Sequence, residues 1–99
     1  MICCAFVFEP GNYDEDFLKL DKTIDIYARA LPGFVRVDKW FSEDKKTINA
    51  MYYFKDEATL EKLAKLPAHM KAKSGVDRWY NDYKIEVFEL KDTYGKSVA

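Results

Sequence analysis

The sequence has little of the residue types that mark several common classes of protein. It contains one histidine and two cysteines among 99 residues. The cysteines, Cys3 and Cys4, are adjacent, so in a strand their side chains point to opposite faces and cannot easily bridge each other. We expect two small buried side chains in a reducing cytoplasm, with a redox pair or metal site as the alternative. No other residues supply tetrahedral metal ligands at useful spacing, so no metal is expected.

An excess of charge of one sign and a long apolar run are also missing. The chain has 16 basic and 17 acidic residues, and the signs alternate along it. This balance gives little electrostatic support for nucleic acid or an anionic membrane as a partner. The apolar run at the start stops at Glu9 and has no basic leader, so we expect neither a signal peptide nor a membrane span.

Signatures of the commoner enzyme chemistries are absent as well. The sequence shows no Gly-rich phosphate loop, no Ser or Cys nucleophile beside a base, and no paired acids in a recognisable frame. Hydrolases and nucleotide-using enzymes are therefore disfavoured.

What is present is a clear hydrophobic periodicity over one domain, residues 1–99. Alternating or apolar runs rich in strand formers predict strands at 2–8, 34–41, 47–54 and 83–90. Spacings of three and four predict a helix from Asp14 to Leu31, with Asp21 among the residues on its solvent face, and a second helix over 56–66. Pro67 interrupts or kinks that helix, further helical turns follow until Gly75, and residues 91–99 form a polar tail. The order predicts an α+β, ferredoxin-like βαββαβ fold, a four-stranded antiparallel sheet with helices on one face.

Several strands are apolar on both faces. In the first and third strands, both alternating sets of side chains are mostly apolar. Helices cover only one face of such a sheet, and a large exposed apolar face promotes aggregation. We therefore expect a homodimer in which the uncovered sheet faces pack together.

Five short segments spread over nearly the whole chain carry a family resemblance. They are Val37–Asp44, Tyr52–Ala58, the segment around His69 with Ala72-Lys73, Arg78-Trp79-Tyr80 with Tyr83, and Tyr94-Gly95. The chain resembles the small dimeric α/β-barrel proteins of the antibiotic biosynthesis monooxygenase superfamily. The resemblance implies a homodimer and a pocket between helices and sheet in each subunit. It also implies oxidation of aromatic polyketides, quinols or haem by O₂, often without metal or flavin.

One branch of that family degrades haem. It uses an Asn on the first strand, a Trp on the second helix and an axial His, and His69 lies where that ligand is expected. Strand one has no Asn here, and the helix over 56–66 has no Trp. These departures disfavour haem breakdown and leave haem binding as a less favoured alternative.

His69 is the candidate catalytic residue, because no other residue type present changes charge near neutral pH unaided. It either removes a phenolic or enolic proton as general base, or it hydrogen-bonds a carbonyl and helps to set the helix after Pro67. Lys73 lies one turn later on the same face if the helix continues. It is either a solvated charge or a group that stabilises an anionic ligand oxygen.

The candidate substrate-binding residues are mainly aromatic. Their rings suit stacking of a planar substrate, and the alternative is a place in the core or in the dimer interface. They are Trp40, Tyr52, Phe54, Trp79, Tyr80 and Tyr83. Because Trp79 and Tyr80 are neighbours, we expect only one to touch a ligand. Arg78 is either an anion clamp or part of a surface ion pair.

Together with the family resemblance, these residues predict a cytoplasmic homodimer that acts as a cofactor-independent monooxygenase. Its substrate would be a small planar phenolic, quinol or polyketide-like molecule, with His69 as base or orienting group. The alternative, from another class, is a non-catalytic dimeric binding or stress-response module whose pocket is filled by its own rings.

Overall fold

The computed structural model describes residues 1–96, which form four strands and four helices. In chain order they are β1 (Ile2–Pro10), α1 (Glu15–Ala30), β2 (Phe34–Phe41), β3 (Ile48–Phe54), α2 (Glu57–Ala64), α3 (Pro67–Lys73), α4 (Val76–Trp79) and β4 (Tyr80–Glu89). The strands form one antiparallel sheet in the order β2-β3-β1-β4. The ferredoxin-like α+β class is confirmed. The predicted polar tail ends in residues 97–99, which lie outside the described residues.

The two longer helices begin where the sequence provides an aspartate cap. Asp14 Oδ1 accepts a hydrogen bond from Phe17 N at 2.9 Å, and Asp56 Oδ1 accepts one from Thr59 N at 2.9 Å. Each bond satisfies a backbone N–H that has no partner within the helix. After α1 the chain turns through Gly33, whose φ of 103° suits glycine. The predicted ends of the first helix are thus close to the observed ones.

The region after α2 differs from the prediction in detail. Pro67 is the first residue of α3, where its missing N–H costs no hydrogen bond, so it starts a new helix and does not kink an old one. Gly75 then precedes the short helix α4. Strand β4 begins at Tyr80, earlier than the predicted Tyr83, because it pairs with β1 as far as Pro10. No helix within residues 1–96 is long and apolar enough to cross a membrane.

The helices pack on one face of the sheet and leave the other open. The core cluster lies on the covered face and consists of Ala28, Leu31, Phe54 and Leu63. The opposite side is here called the open face. Its middle is formed by Cys3, Ala5, Val7, Asn49, Met51 and Tyr53, and its margins on β2 and β4 by Arg36, Asp38, Trp40, Lys84, Glu86 and Phe88. The predicted apolar character therefore holds for the two central strands, whereas the margins carry charges.

Candidate functional site

A cavity of about 350 Å³ lies between the helices and the covered face of the sheet. All four helices and strands β1, β3 and β4 contribute side chains to it. Its volume is at the lower end of the range for small-molecule sites, and its walls are mostly apolar with a few polar groups, which is typical of such sites. No group of three His, Cys, Asp or Glu side chains in the described part of the chain is arranged to hold a metal ion.

Most of the residues predicted for the site line this cavity. They are Tyr52, Phe54, His69, Lys73, Trp79, Tyr80 and Tyr83. Both Trp79, the last residue of α4, and Tyr80, the first of β4, contribute to the wall. The expectation that only one of them touches a ligand stays a prediction. Trp40 and Arg78 are not part of the lining. Trp40 is opposite Asn49 in the β2–β3 register and therefore lies on the open face.

His69 reaches the cavity from α3, with Lys73 one helical turn further on. Its Nδ1 atom is buried and has no hydrogen-bond partner within residues 1–96. Burial lowers the pKa of His69 below 6.5, and the Lys73 charge lowers it further, while a hydrogen bond with the backbone of Ala64 acts in the opposite direction and has the smallest effect of the three. The imidazole is therefore neutral at neutral pH, which is the form that accepts a proton.

Trp79 forms a fixed wall of the cavity. The residue is 2% exposed, and its indole Nε1 donates a hydrogen bond to Asp14 Oδ1 at 3.0 Å. The same carboxylate oxygen caps α1, so one aspartate ties the start of α1 to α4. Gly75 lies against the ring, and a Cβ added there would come within 2.6 Å of Trp79 Cζ3. The orientation of this wall is thus set by Asp14 on one side and Gly75 on the other.

Arg78 contacts both Asp14 and Trp79 from the solvent side. Its Nε lies 3.3 Å from Asp14 Oδ2, and its guanidinium carbon lies 4.7 Å from the centre of the Trp79 ring. The side chain is more than half exposed, so the ion pair is screened by solvent. The sequence offered two interpretations of Arg78, an anion clamp or a surface ion pair, and the structure has the ion pair.

Further aromatic rings continue the wall towards β1 and β4. Phe6 meets Tyr80 edge to face with ring centres 5.1 Å apart, and Phe17 meets Trp79 in the same way at 5.4 Å. Such pairs hold each other in defined orientations, which leaves flat surfaces facing the cavity. Phe6 and Phe17 were not predicted as site residues. Their positions, on the covered face of β1 and on the apolar stripe of α1, are visible in the sequence only once the fold is known.

Asp21 is the polar residue of the site that sequence reasoning missed. Its predicted place on the solvent face of α1 agrees with its exposure, and it also lines the cavity beside Leu20, which was not predicted. The residue is exposed at this position, yet burial of its carboxyl group raises its pKa. A signal was present, because Asp21 follows Phe17 by four residues and precedes Ile24 by three, the spacings of one helical face.

The fold and cavity can be compared with solved structures. Rv0793 from Mycobacterium tuberculosis superposes with a TM-score of 0.74 at 16% identity, covering 95% of this chain and 98% of that one. SnoaB from Streptomyces nogalater, a cofactor-independent oxygenase, gives 0.73 at 12% identity, covering 96% and 97%. A protein described as an antibiotic biosynthesis monooxygenase gives 0.68 at 12% identity, covering 93% and 100%.

The chain has the fold of the antibiotic biosynthesis monooxygenases. The resemblance inferred from the short segments is confirmed at the level of the fold. No protein-family model matches the chain, and no curated protein matches its sequence. At identities this low, the antibiotic biosynthesis monooxygenase fold fixes the architecture, and the chemistry has to be argued from the residues of the cavity.

Proposed function

We propose that the protein is a cofactor-independent monooxygenase that oxidises a planar phenolic or enolisable molecule with O₂. The observation that carries the proposal is a neutral, partly buried imidazole on the wall of an open aromatic cavity. SnoaB, which shares the fold, is a cofactor-independent oxygenase, and this supports the reaction class.

The residues of the cavity suit the first step of such a reaction. His69 takes a proton from the substrate, and Lys73 stabilises the anion that remains. The aromatic walls lower the polarity around His69, which is partly buried, whereas Lys73 stays in contact with solvent. The substrate anion then transfers one electron to O₂, and the resulting radical and superoxide combine to a carbon–oxygen bond.

The overall reaction can be written out for anthrone, a planar ketone that enolises readily. Deprotonation at its CH₂ carbon, addition of O₂ there and loss of water give anthraquinone, so that C₁₄H₁₀O and O₂ become C₁₄H₈O₂ and H₂O. One oxygen atom stays in the product and the other leaves as water. The substrate supplies all the electrons, so the protein needs to provide only a base, an anion partner and an apolar cavity.

The open cavity argues against the two alternative functions, a structural module and a haem-binding protein. A structural module was expected to have its pocket filled by its own rings, whereas the space beside His69 is open. Haem is not favoured either, because about 350 Å³ suits a molecule of two or three fused rings better than a tetrapyrrole.

Oxygen uptake with anthrone tests the proposal. His69→Gln removes the base while keeping a polar side chain of similar length, and we expect the protein-dependent rate to fall by about 100-fold or more. Lys71→Gln is the matched control, because Lys71 is exposed on the same helix and does not line the cavity. With ¹⁸O₂, one labelled atom is expected in anthraquinone. An unchanged rate in His69→Gln would remove His69 from the mechanism.

We also propose that a second copy of the chain covers the open face. Trp40 is 60% exposed and Phe88 is 42% exposed there. The charges at its margins already pair within the chain, Arg36 with Asp38 at 3.1 Å and Lys84 with Glu86 at 3.3 Å, so a second copy covering this face would meet no unbalanced charge there. Burial of these side chains would remove an aggregation hazard.

Light scattering after size-exclusion chromatography tests this dimer. We expect Trp40→Asp to shift the protein towards a monomer. Ile26→Asp is the matched control, because Ile26 is 59% exposed but lies on α1, away from the open face. If both variants keep the mass of the wild type, the open face is not the interface.

A further inference from the structure

The cavity contains a carboxylate that the proposed reaction does not use. Asp21 is the only acidic residue among the described residues that line it. It lies on the stripe of α1 that also includes Phe17, Leu20 and Ile24, all of which line the cavity too. The residue as a whole is exposed, while burial of its carboxyl group raises the pKa, so this carboxylate lies where the cavity meets solvent.

Within residues 1–96, Asp21 feels the opposite charge of Lys39 but forms no ion pair with it. None of the ion pairs in residues 1–96 includes it. Lys39 and Asp25 are the charged groups that act on it, with opposite effects. Its carboxylate is therefore free to accept a hydrogen bond from a molecule in the cavity.

The polar groups of the cavity fall into two sets. Lys73 acts on His69, and both are on α3. Asp21 lines the cavity from α1, on a different helix from that pair. Burial raises the pKa of Tyr52, and the charges of Asp25 and Asp21 add to this shift. One set therefore favours an anionic group on the ligand, and the other favours a hydrogen-bond donor.

We propose that Asp21 is a specificity-determining residue, which accepts a hydrogen bond from a hydroxyl or amino group of the ligand at a point separate from His69 and Lys73. The inference rests on the proposed function for the location of the bound molecule and adds its chemical class. The preferred ligand is planar and has two polar positions, an acidic hydroxyl or enol for His69 and a second donor for Asp21. A ligand without the second donor removes water from the carboxylate and gives it nothing in return.

Calorimetric binding of two probes, 1-naphthol and 1,5-dihydroxynaphthalene, tests this inference. A hydrogen bond to a charged acceptor corresponds to a preference of about 10-fold or more for the dihydroxy compound in the wild type. Asp21→Leu keeps a similar shape without an acceptor, and we expect the preference to disappear while 1-naphthol binds at least as well. Asp21→Asn, which keeps a neutral acceptor and disturbs packing less, is expected to retain a preference of a few-fold.

Asp25→Leu is the matched control. Asp25 lies one turn further along α1, pairs with Arg29 at 3.0 Å and does not line the cavity. Equal binding of both probes to the wild type would overturn the role of Asp21 and leave the proposed function standing. A preference that survives in Asp21→Leu, or that Asp25→Leu also abolishes, would overturn it as well. If neither probe binds the wild type, the proposed function fails and this inference fails with it.

Discussion

Replacing Gly75 with alanine tests how the wall of the cavity is held. The added methyl group would lie 2.6 Å from Cζ3, 2.7 Å from Cη2 and 2.9 Å from Cε3 of Trp79. All three atoms belong to the six-membered ring of the indole, which is rigid. The ring cannot swing away cheaply, because its Nε1 is bonded to Asp14 and the residue is 2% exposed. Gly75 has a negative φ, so the expected cost comes from this contact and not from the backbone.

The size of the effect follows from overpacking. Extra atoms forced into a packed site cost about 1–3 kcal/mol, and a value near 2 kcal/mol is expected here. For a domain of this length that is a fall in Tm of roughly 8–16 °C. Urea unfolding followed by far-UV circular dichroism measures the change in free energy of unfolding.

The same substitution in a Trp79→Phe background provides the control. Phenylalanine lacks the second ring of the indole, so the atoms that clash with the new methyl group are absent. There Gly75→Ala is expected to cost less than about 0.5 kcal/mol, or to stabilise slightly by restricting the unfolded chain. An equal cost in both backgrounds would show that the Trp79 ring is not what glycine accommodates, and would refute the reasoning.

Three further predictions concern pH, a turn and the tyrosines. Burial lowers the pKa of His69 below 6.5, so the unfolded chain binds a proton there more readily than the folded protein. The free energy of unfolding should therefore fall as the pH drops from 6.5 through the lower folded-state pKa. Denaturant titrations at several pH values should show a smaller fall for His69→Gln. Gly33→Ala should lower the free energy of unfolding by about 1–2 kcal/mol from its positive φ alone, and by more from a Cβ 2.5 Å from Thr59 Oγ1; an unchanged urea midpoint would contradict this. Burial, with the negative charges of Asp25 and Asp21 in addition, raises the pKa of Tyr52 to about 12. Removing one of these charges in Asp21→Asn should lower the pH at which Tyr52 titrates, as measured by ultraviolet absorbance. An identical titration curve would show that the Asp21 charge does not affect Tyr52.

Local sequence signals were sufficient to predict most of the helices and strands of the fold. Asp14 and Gly33 mark the ends of the first helical region, and alternating apolar residues mark the strands, because these signals act through neighbouring backbone. Pro67 was harder to interpret, since proline both ends a helix and starts one. The early start of β4 depended on pairing with Pro10, about seventy residues away, which no local pattern reports.

The candidate site was predictable to the extent that its residues are chemically distinctive. His69 and the aromatic cluster stood out by composition, and most of them line the cavity. Asp21 did not stand out, because an aspartate between lysines on a helix is typical of a solvent face. Trp40 and Arg78 were grouped with the site by residue type, and only strand register and the contact with Asp14 show that they lie elsewhere.

In the proposed reaction the cavity binds a planar phenol, and His69 takes its proton. A planar phenol whose neutral and ionised forms differ in colour, such as alizarin, tests both parts in one titration. Below the pH at which free alizarin ionises, adding the wild-type protein is predicted to produce the absorption band of the anion, and adding His69→Gln is predicted not to. Binding with the spectrum of the neutral form, an equal anion band in both proteins, or no binding at all would contradict the account.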